Sequence, residues 1–563
     1  MAERKPFYWL NEDSRTFLER GYLSEGETPE QRIKDIADKA EEILGVEGFA
    51  DKFYEYMGKG FYSLSSPVWA NFGKDRGMSI SCFGSFIEDN LSSILDTSSE
   101  VGMMSKFGGG TSGYFGNIRP RGSEITDNGQ TSGSVHFMKL FEQMTDTVSQ
   151  GSTRRGRFSP YLPIEHGDID EFLDIGTEGN PIQSLTHGVS ITDKWLEEMI
   201  AGDEEKKEVW AKLLSRRIQM GYPYIFFHDN ANDNTVDVYK DKGLTINNSN
   251  LCSEIMLPNN EEWSFVCNLS SLNAERYDEW KDTDAVETMV YFLDAVMTEF
   301  IQNLEDLRDS NDPEDRNAFK HMEKAYNFAK EHRALGVGLL GLHSLYQSKM
   351  LPFESIEANK LNAEIFSTMK KRAYKASKEL AERFGEPSVL KGYGRRNSTL
   401  LAIAPTTSSS FILGQVSKSI EPLMSNYFVV DTAKVKKTMI NPYLLELLEE
   451  KGKNNEEVLN SIRDNDGSVQ HLDFLTQREK DVFKTFGELN QYNVIEQAAT
   501  RQQFIDQGQS LNIMVNPSHI TAEELNELHL FAWANGIKSM YYQHGTNAAQ
   551  QFNLSKICIN CEA

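Results

Sequence analysis

Residues 61–190 are rich in glycine and serine, are broken into short apolar runs, and lie between stretches with helical spacing. That alternation constrains the fold more than any other feature. Short apolar runs bounded by turn residues read as strands, and strands alternating with helices favour an α/β architecture. Upstream, Thr28 is placed to cap a helix, Pro29 suits its first position, "EQRIKDIADKAEEIL" carries the period, and Gly45 can end it. Downstream, residues 193–220 and 357–384 have helical spacing, and "DAVETMVYFLDAVMTEFIQNLEDL" (284–307) is apolar on more than one side. "TLLAIAP" (399–405) predicts a buried strand ending at a proline, and "GIKSMYYQ" (536–543) resembles a last strand. Residues 441–510 are polar and largely helical, with "KGKNNEEV" as an exposed turn. With 563 residues, of which 39% are hydrophobic and 11% aromatic, the chain can bury a large core.

A net charge of −26 disfavours duplex DNA and anionic membranes as partners, while leaving room for a local basic pocket that takes a small phosphate. No run of eighteen apolar residues predicts a membrane span. "MAERKPFYWLNEDSR" has no apolar stretch like that of a signal peptide, so a cytoplasmic location with reduced thiols is expected.

The five cysteines are an odd count, which argues against a purely structural disulfide framework. Cys82 in "SISCFGSF" and Cys267 in "SFVCNLSSLN" lie in strand-like segments. Each alone reads as a small buried hydrophobe. Cys252 lies in "NNSNLCSEI" (247–255). If that segment is extended, side chains at i, i+2 and i+4 share a face, and Asn250, Cys252 and Glu254 present an amide, a thiol and a carboxylate together. Cys558 and Cys561 form C-x-x-C at the end of the polar "HGTNAAQQFNLSKICINCEA", expected to be a mobile tail. A zinc site commonly takes two such pairs, and there is no second pair, so no metal site is expected. A dithiol that exchanges with another disulfide fits the spacing better; two unrelated exposed thiols, or half of an intermolecular zinc site, are the other readings. The fifteen residues between Tyr542 and Cys558 could span at most about 50 Å, enough to reach a domain centre. Cys82 and Cys267 are then candidates for a buried pair that the tail reduces.

"SPVWANFG", "SISCFGSF", "NLCSE", "CNLSSLN", "AIAPTTSSSF", "SIEP", "MYYQ" and the final C-x-x-C follow one another in this order. Together they resemble the large, catalytic subunits of class I ribonucleotide reductases, from about residue 60 to the end. The resemblance implies an α/β fold, a ten-stranded barrel around a central loop carrying Cys252. The expected division is an N-terminal helical region (1–60), the barrel with helical insertions (61–546) and a redox tail (547–563). The implied reaction is thiyl-radical reduction of ribonucleoside diphosphates. Cys252 is similar to the family's radical cysteine, Glu254 to the base on the 3′ hydroxyl, and Asn250 to the amide that holds the ribose hydroxyls. Cys82 and Cys267 match the pair that supplies two electrons, Cys82 also being the acid for the departing 2′ hydroxyl. Cys558 and Cys561 match the dithiol that restores the pair. Tyr541 and Tyr542, otherwise an ordinary packing pair, match the tyrosines that relay a radical from a separate small subunit.

By the same resemblance, the substrate lies near Ser65, Ser66 and Ser81. Its diphosphate is held by Pro405, Thr406, Thr407, Ser408 and Ser409, and its base is touched by Arg154 in "QGSTRRGRF". In isolation, the "APTTSSSF" turn could equally be ordinary helix capping. The glycine-rich "KFGGGTSGYFGNIRPRGS" (106–123) is read, with Asp89 and Arg119, as part of an effector site for ATP or a deoxynucleoside triphosphate rather than as a dinucleotide loop. The implied partners are the radical-generating subunit, a second copy of the chain in a homodimer, and a thioredoxin- or glutaredoxin-like reductant. No cofactor bound by this chain itself is expected. The family's N-terminal ATP-binding activity module is expected to be absent, since only some 60 residues precede the catalytic segments. The competing readings are an adenosylcobalamin-dependent class II reductase and a catalytically silent nucleotide-binding homologue.

Overall fold

The computed structural model describes residues 4–150, 155–431 and 436–545. Arg154, Cys558 and Cys561 lie outside them. The strands that matter for the site are β1 (Tyr62–Leu64), β2 (Cys82–Phe86), β3 (Gly110–Tyr114), β4 (Phe158–Pro163), β5 (Gly188–Ile191), β6 (Tyr224–Phe227), β7 (Phe265–Asn273), β8 (Leu335–Leu340), β9 (Ile513–Val515), β10 (Ser539–Met540) and β11 (Gln543–Gly545).

β2 to β6 lie side by side and parallel in chain order. Parallel neighbours need crossovers, and helices such as Leu91–Lys106, Ser134–Thr147 and Glu204–Met220 supply them. A second parallel set follows: β7 pairs with β8, Val337 of β8 bridges Leu401, and Ile403 bridges Gln509. Tyr541 N–H then donates to Leu511 O at 2.9 Å, bringing in β10. The two sets meet antiparallel at two seams. At one, Cys82 of β2 faces Cys267 of β7. At the other, Met540 of β10 faces Ile225 of β6. The result is a closed ring of ten hydrogen-bonded segments. "TLLAIAP" is buried as expected, and it joins the ring through bridges at Leu401 and Ile403.

All nine residues of β7 are buried, as suits a strand covered on both faces. Gly84 lets β7 close on β2: a Cβ there would come within 2.0 Å of the Phe265 ring. β1 pairs antiparallel with the far half of β7, Leu64 against Ser270.

Thr28 caps the helix Pro29–Leu44 through Gln31 N–H at 3.2 Å, and Gly45 closes it at φ +57. The fully buried Arg32 of this helix donates to the carbonyls of Val68, Trp69 and Phe72, so it fixes the end of "SPVWANF". Phe17 packs on Phe411 and Phe53 on Phe292, so the first sixty residues share the barrel's continuous core. The expected helical span 193–220 divides into Asp193–Ile200 and Glu204–Met220, with Gly202 at φ +115 between them. The long helices appear as Ala285–Asp309 and Ile356–Phe384. Among the described residues, no helix is long and apolar enough to cross a membrane.

Candidate active site

The segment 247–255 is not an extended strand. It folds back as a turn in the ring's interior: Ser253 N–H donates to Asn250 O at 3.3 Å, and Ser253 sits at φ +63. The alternation argued from sequence therefore does not bring Asn250, Cys252 and Glu254 together. The Asn250 side chain closes the turn instead: its Oδ1 accepts from both Glu254 N–H (3.0 Å) and Ile255 N–H (3.1 Å). A short amide competes well for backbone donors in a tight turn, and this contact replaces the missing strand partner.

Neighbouring ring segments clamp the turn. Tyr161 O–H donates to Asn250 O at 2.8 Å, Ser510 O–H to Cys252 O at 2.6 Å, and Ser539 O–H to Ser253 O at 2.6 Å. Gly508 N–H reaches Glu254 O at 2.8 Å, and Met256 N–H reaches Gln507 Oε1 at 3.0 Å. Asn250, Cys252 and Glu254 are all buried.

The turn touches one seam cysteine directly, and Gln507, which accepts Met256 N–H, touches the other. Asn250 Nδ2–H donates to Cys82 Sγ at 3.1 Å, and Gln507 Nε2–H to Cys267 Sγ at 3.6 Å. Residues directly opposite in an antiparallel pair have Cα atoms about 4.5–5.5 Å apart, inside the range a disulfide spans. Burial pushes the Cys267 thiol well above its usual range, against the pull of the Gln507 amide, so it is held protonated. Burial likewise pushes Glu254 up to about 7, against hydrogen bonds from Asn250 and Ser510. Ser510 O–H donates to its Oε2 at 3.2 Å, while its Oε1 has no partner among the described residues.

Several hydroxyls share that condition: Ser65, Ser81, Ser408 and Ser419 are buried with no hydrogen bond to their Oγ. An unsatisfied buried hydroxyl costs about 1–3 kcal/mol, so these groups fit a polar ligand. Ser66 is engaged instead, its Oγ 2.8 Å from the Tyr22 hydroxyl. The turn after Pro405 is stitched in place. Thr406, at φ +54, accepts Ser419 N–H at 2.8 Å on its hydroxyl. Ser409 O–H donates to Leu64 O at 3.1 Å, and Ser63 O–H to Ser409 O at 2.7 Å. Thr407 opens the helix Thr407–Ile412.

Tyr541 and Tyr542 follow β10 directly, at the second seam. Both are buried, their ring centroids are 4.3 Å apart, and they cluster with Leu251, Cys252, Tyr222 and Tyr224. One structure thus holds a buried thiol, a buried carboxyl, a pair of facing cysteines and a tyrosine pair.

Residues 80–206, 200–389 and 387–543 match the family model "Ribonucleotide reductase, barrel domain". The chain belongs to the ribonucleotide reductase large subunits. It is 31% identical over 604 residues to the ribonucleoside-diphosphate reductase large subunit of Invertebrate iridescent virus 3, covering 93% of this chain and 92% of that one. It is 30% identical to the Caenorhabditis elegans large subunit, over 96% of this chain and 77% of that one. The solved class Id ribonucleotide reductase alpha subunit of Actinobacillus ureae is 55% identical and superposes with a TM-score of 0.90, over 97% of this chain and 99% of that one.

In this reductase subunit, Asp89 and Arg119 come together away from the turn. Arg119 Nε–H donates to Asp89 Oδ2 at 2.7 Å, and its backbone N–H to Oδ1 at 3.2 Å. Gly108, Gly110 and Gly113 do carry the G-x-G-x-x-G spacing. The run is nevertheless no dinucleotide loop, because Gly110–Tyr114 is itself a ring strand rather than the turn between a strand and a helix. The sequence reading missed Tyr161, Tyr222, Tyr224, Gln507 and Ser510. Tyr222 and Tyr224 lie in or beside an apolar run that signals only core, and Gln507 and Ser510 belong to no motif.

Proposed function

We propose that this large subunit reduces ribonucleoside diphosphates to deoxyribonucleoside diphosphates through a thiyl radical on Cys252. The radical takes the 3′ hydrogen atom of the ribose, and Glu254 takes the 3′ hydroxyl proton. Cys82 protonates the 2′ hydroxyl, which leaves as water. The Cys82 and Cys267 sulfurs then supply two electrons and become a disulfide, the Cys267 hydrogen going to C2′ and the proton on Glu254 returning to the 3′ oxygen. The 3′ hydrogen then returns from Cys252, which is a radical again. Asn250 carries this reading: one side chain fixes Glu254, touches Cys82 and lies two residues from Cys252. The unsatisfied hydroxyls of Ser65, Ser81 and Ser408 support a nucleotide held between the seam and the 405–409 turn, with Pro405, Thr406, Thr407 and Ser409 shaping the diphosphate end. Ser66 supports that wall through Tyr22, and Arg154 is assigned to the substrate base.

The radical comes from a separate small subunit and enters through Tyr542 and Tyr541. Their burial against Cys252 favours this over a locally generated cobalamin radical. Leu91, Leu95 and Leu140 are exposed on two helices that pack together beside Asp89, which supports a homodimer with a nucleotide effector read by Asp89 and Arg119 near its interface. Cys558 and Cys561 return electrons from a thioredoxin- or glutaredoxin-like protein.

The deciding test is deoxynucleotide formation by the chain with a radical-bearing partner and a dithiol; no product under those conditions overturns the reading. Two further outcomes are expected. Glu254 works only when ionised, so kcat should climb about tenfold per pH unit below about pH 7 and level off above it. Glu254→Gln should lose most activity and this pH profile together, measured by product assay from pH 5.5 to 8.5. Replacing both Cys558 and Cys561 by serine should leave about one burst of product per active site and then stop with protein reductants, while small dithiols restore turnover. Steady turnover of that variant with thioredoxin would remove the tail from the scheme.

A further inference from the structure

Tyr224 belongs to β6, and the pairing of Ile225 with Met540 brings it against the two residues that follow β10. Its hydroxyl donates to the Tyr542 hydroxyl at 2.9 Å. Its ring lies 5.3 Å from that of Tyr542, edge-on, and 4.9 Å from that of Tyr541. All three are buried in the same small cluster as Cys252. This contact crosses a barrel seam, so the closure of the ring itself sets the position of the Tyr542 oxygen. In such a dry setting a hydrogen bond is stronger and more directional than in water.

Building on the radical relay above, we propose that Tyr224 is a positioning residue for radical transfer, holding the Tyr542 oxygen by a hydrogen bond that persists while Tyr542 is oxidised. On oxidation Tyr542 gives up one electron and its phenolic proton. The oxygen left behind is an acceptor only, and the Tyr224 O–H continues to point at it. Tyr542 is restored by a hydrogen atom from Tyr541, which takes one in turn from the Cys252 S–H. Tyr224 starts and finishes protonated, so no atom or electron is gained or lost through it. Its contribution is geometric: transfer between tyrosines requires the donor and acceptor oxygens to stay aligned, and a rotated Tyr542 ring breaks that alignment.

The test uses the holoenzyme with its radical-bearing partner, and 3-aminotyrosine in place of Tyr542 as a radical trap. Electron–nuclear double resonance in light and heavy water reads the exchangeable protons bonded to the trapped radical. Tyr224→Phe should remove one such proton coupling and, with Tyr542 intact, lower kcat about tenfold at unchanged KM. The variant carrying 3,5-difluorotyrosine at 224 keeps the hydroxyl and should show the coupling, shifted in size by its more acidic proton, together with most of the turnover. If Tyr224→Phe keeps the coupling and the wild-type kcat, the assignment is wrong. Should Tyr224→Phe not fold, the difluorotyrosine variant decides alone: its more acidic hydroxyl shifts the coupling, and an unshifted coupling overturns the proposal. Normal turnover in Tyr542→Phe would instead overturn the relay on which the proposal stands.

Discussion

Cys252→Ser in the holoenzyme should form no deoxynucleotide, a loss of at least about 10⁴-fold in kcat. The substitution exchanges one atom in a residue that is 3% exposed, so the turn's framework is untouched. Asn250 still accepts Glu254 and Ile255 N–H, and Ser510 still donates to the backbone carbonyl at 252. What changes is the bond that must be broken homolytically. A serine O–H holds its hydrogen far more tightly than a thiol, and a buried tyrosyl radical cannot take it. Nucleotide and effector binding, measured by calorimetry, should stay within about twofold of wild type. A Cys252→Ser variant that still makes product would sink the thiyl mechanism, whatever the fate of the other cysteines.

Tyr542→Phe should be almost as severe, with kcat down by about 10³-fold or more and unaltered effector affinity. Phenylalanine keeps the ring contacts with Tyr541, Tyr224 and His544, so packing is preserved. It has no phenolic hydrogen to exchange, and electron transfer would have to jump the whole ring to Tyr541. The check is a product assay together with electron paramagnetic resonance of the partner, whose radical should survive unconsumed. Normal turnover would mean that the radical is generated locally or enters by another route.

The family was legible in the sequence, and the reason lies in residue type. Thiols, a carboxylate and adjacent tyrosines are rare enough, in this order, to mark a family before any fold is known. Geometry was not legible in the same way. The alternating reading of "NNSNLCSEI" put three side chains on one strand face; the structure makes the segment a turn held by the Asn250 amide. Local spacing cannot distinguish the two, because the turn is stabilised by Tyr161, Ser510 and Ser539, which lie far along the chain. The G-x-G-x-x-G spacing at 108–113 makes no dinucleotide loop for a related reason: the strands on either side of β3 in the ring, not the glycines, decide that this segment is a strand.

Tyr224, Gln507 and Ser510 show where sequence reasoning stops. Each is a common residue type in an unremarkable stretch, and each matters through a partner 240 to 318 positions away. The order of residues along the chain settled which reactive groups exist, how strands and helices alternate, and which family the chain joins, because those depend on side-chain chemistry and short-range periodicity. The closed barrel settled which groups meet. Its two antiparallel seams set Cys82 opposite Cys267 and put the Tyr541–Tyr542 pair against Tyr224, and no local pattern encodes a register that exists only once ten distant segments have hydrogen-bonded into one ring.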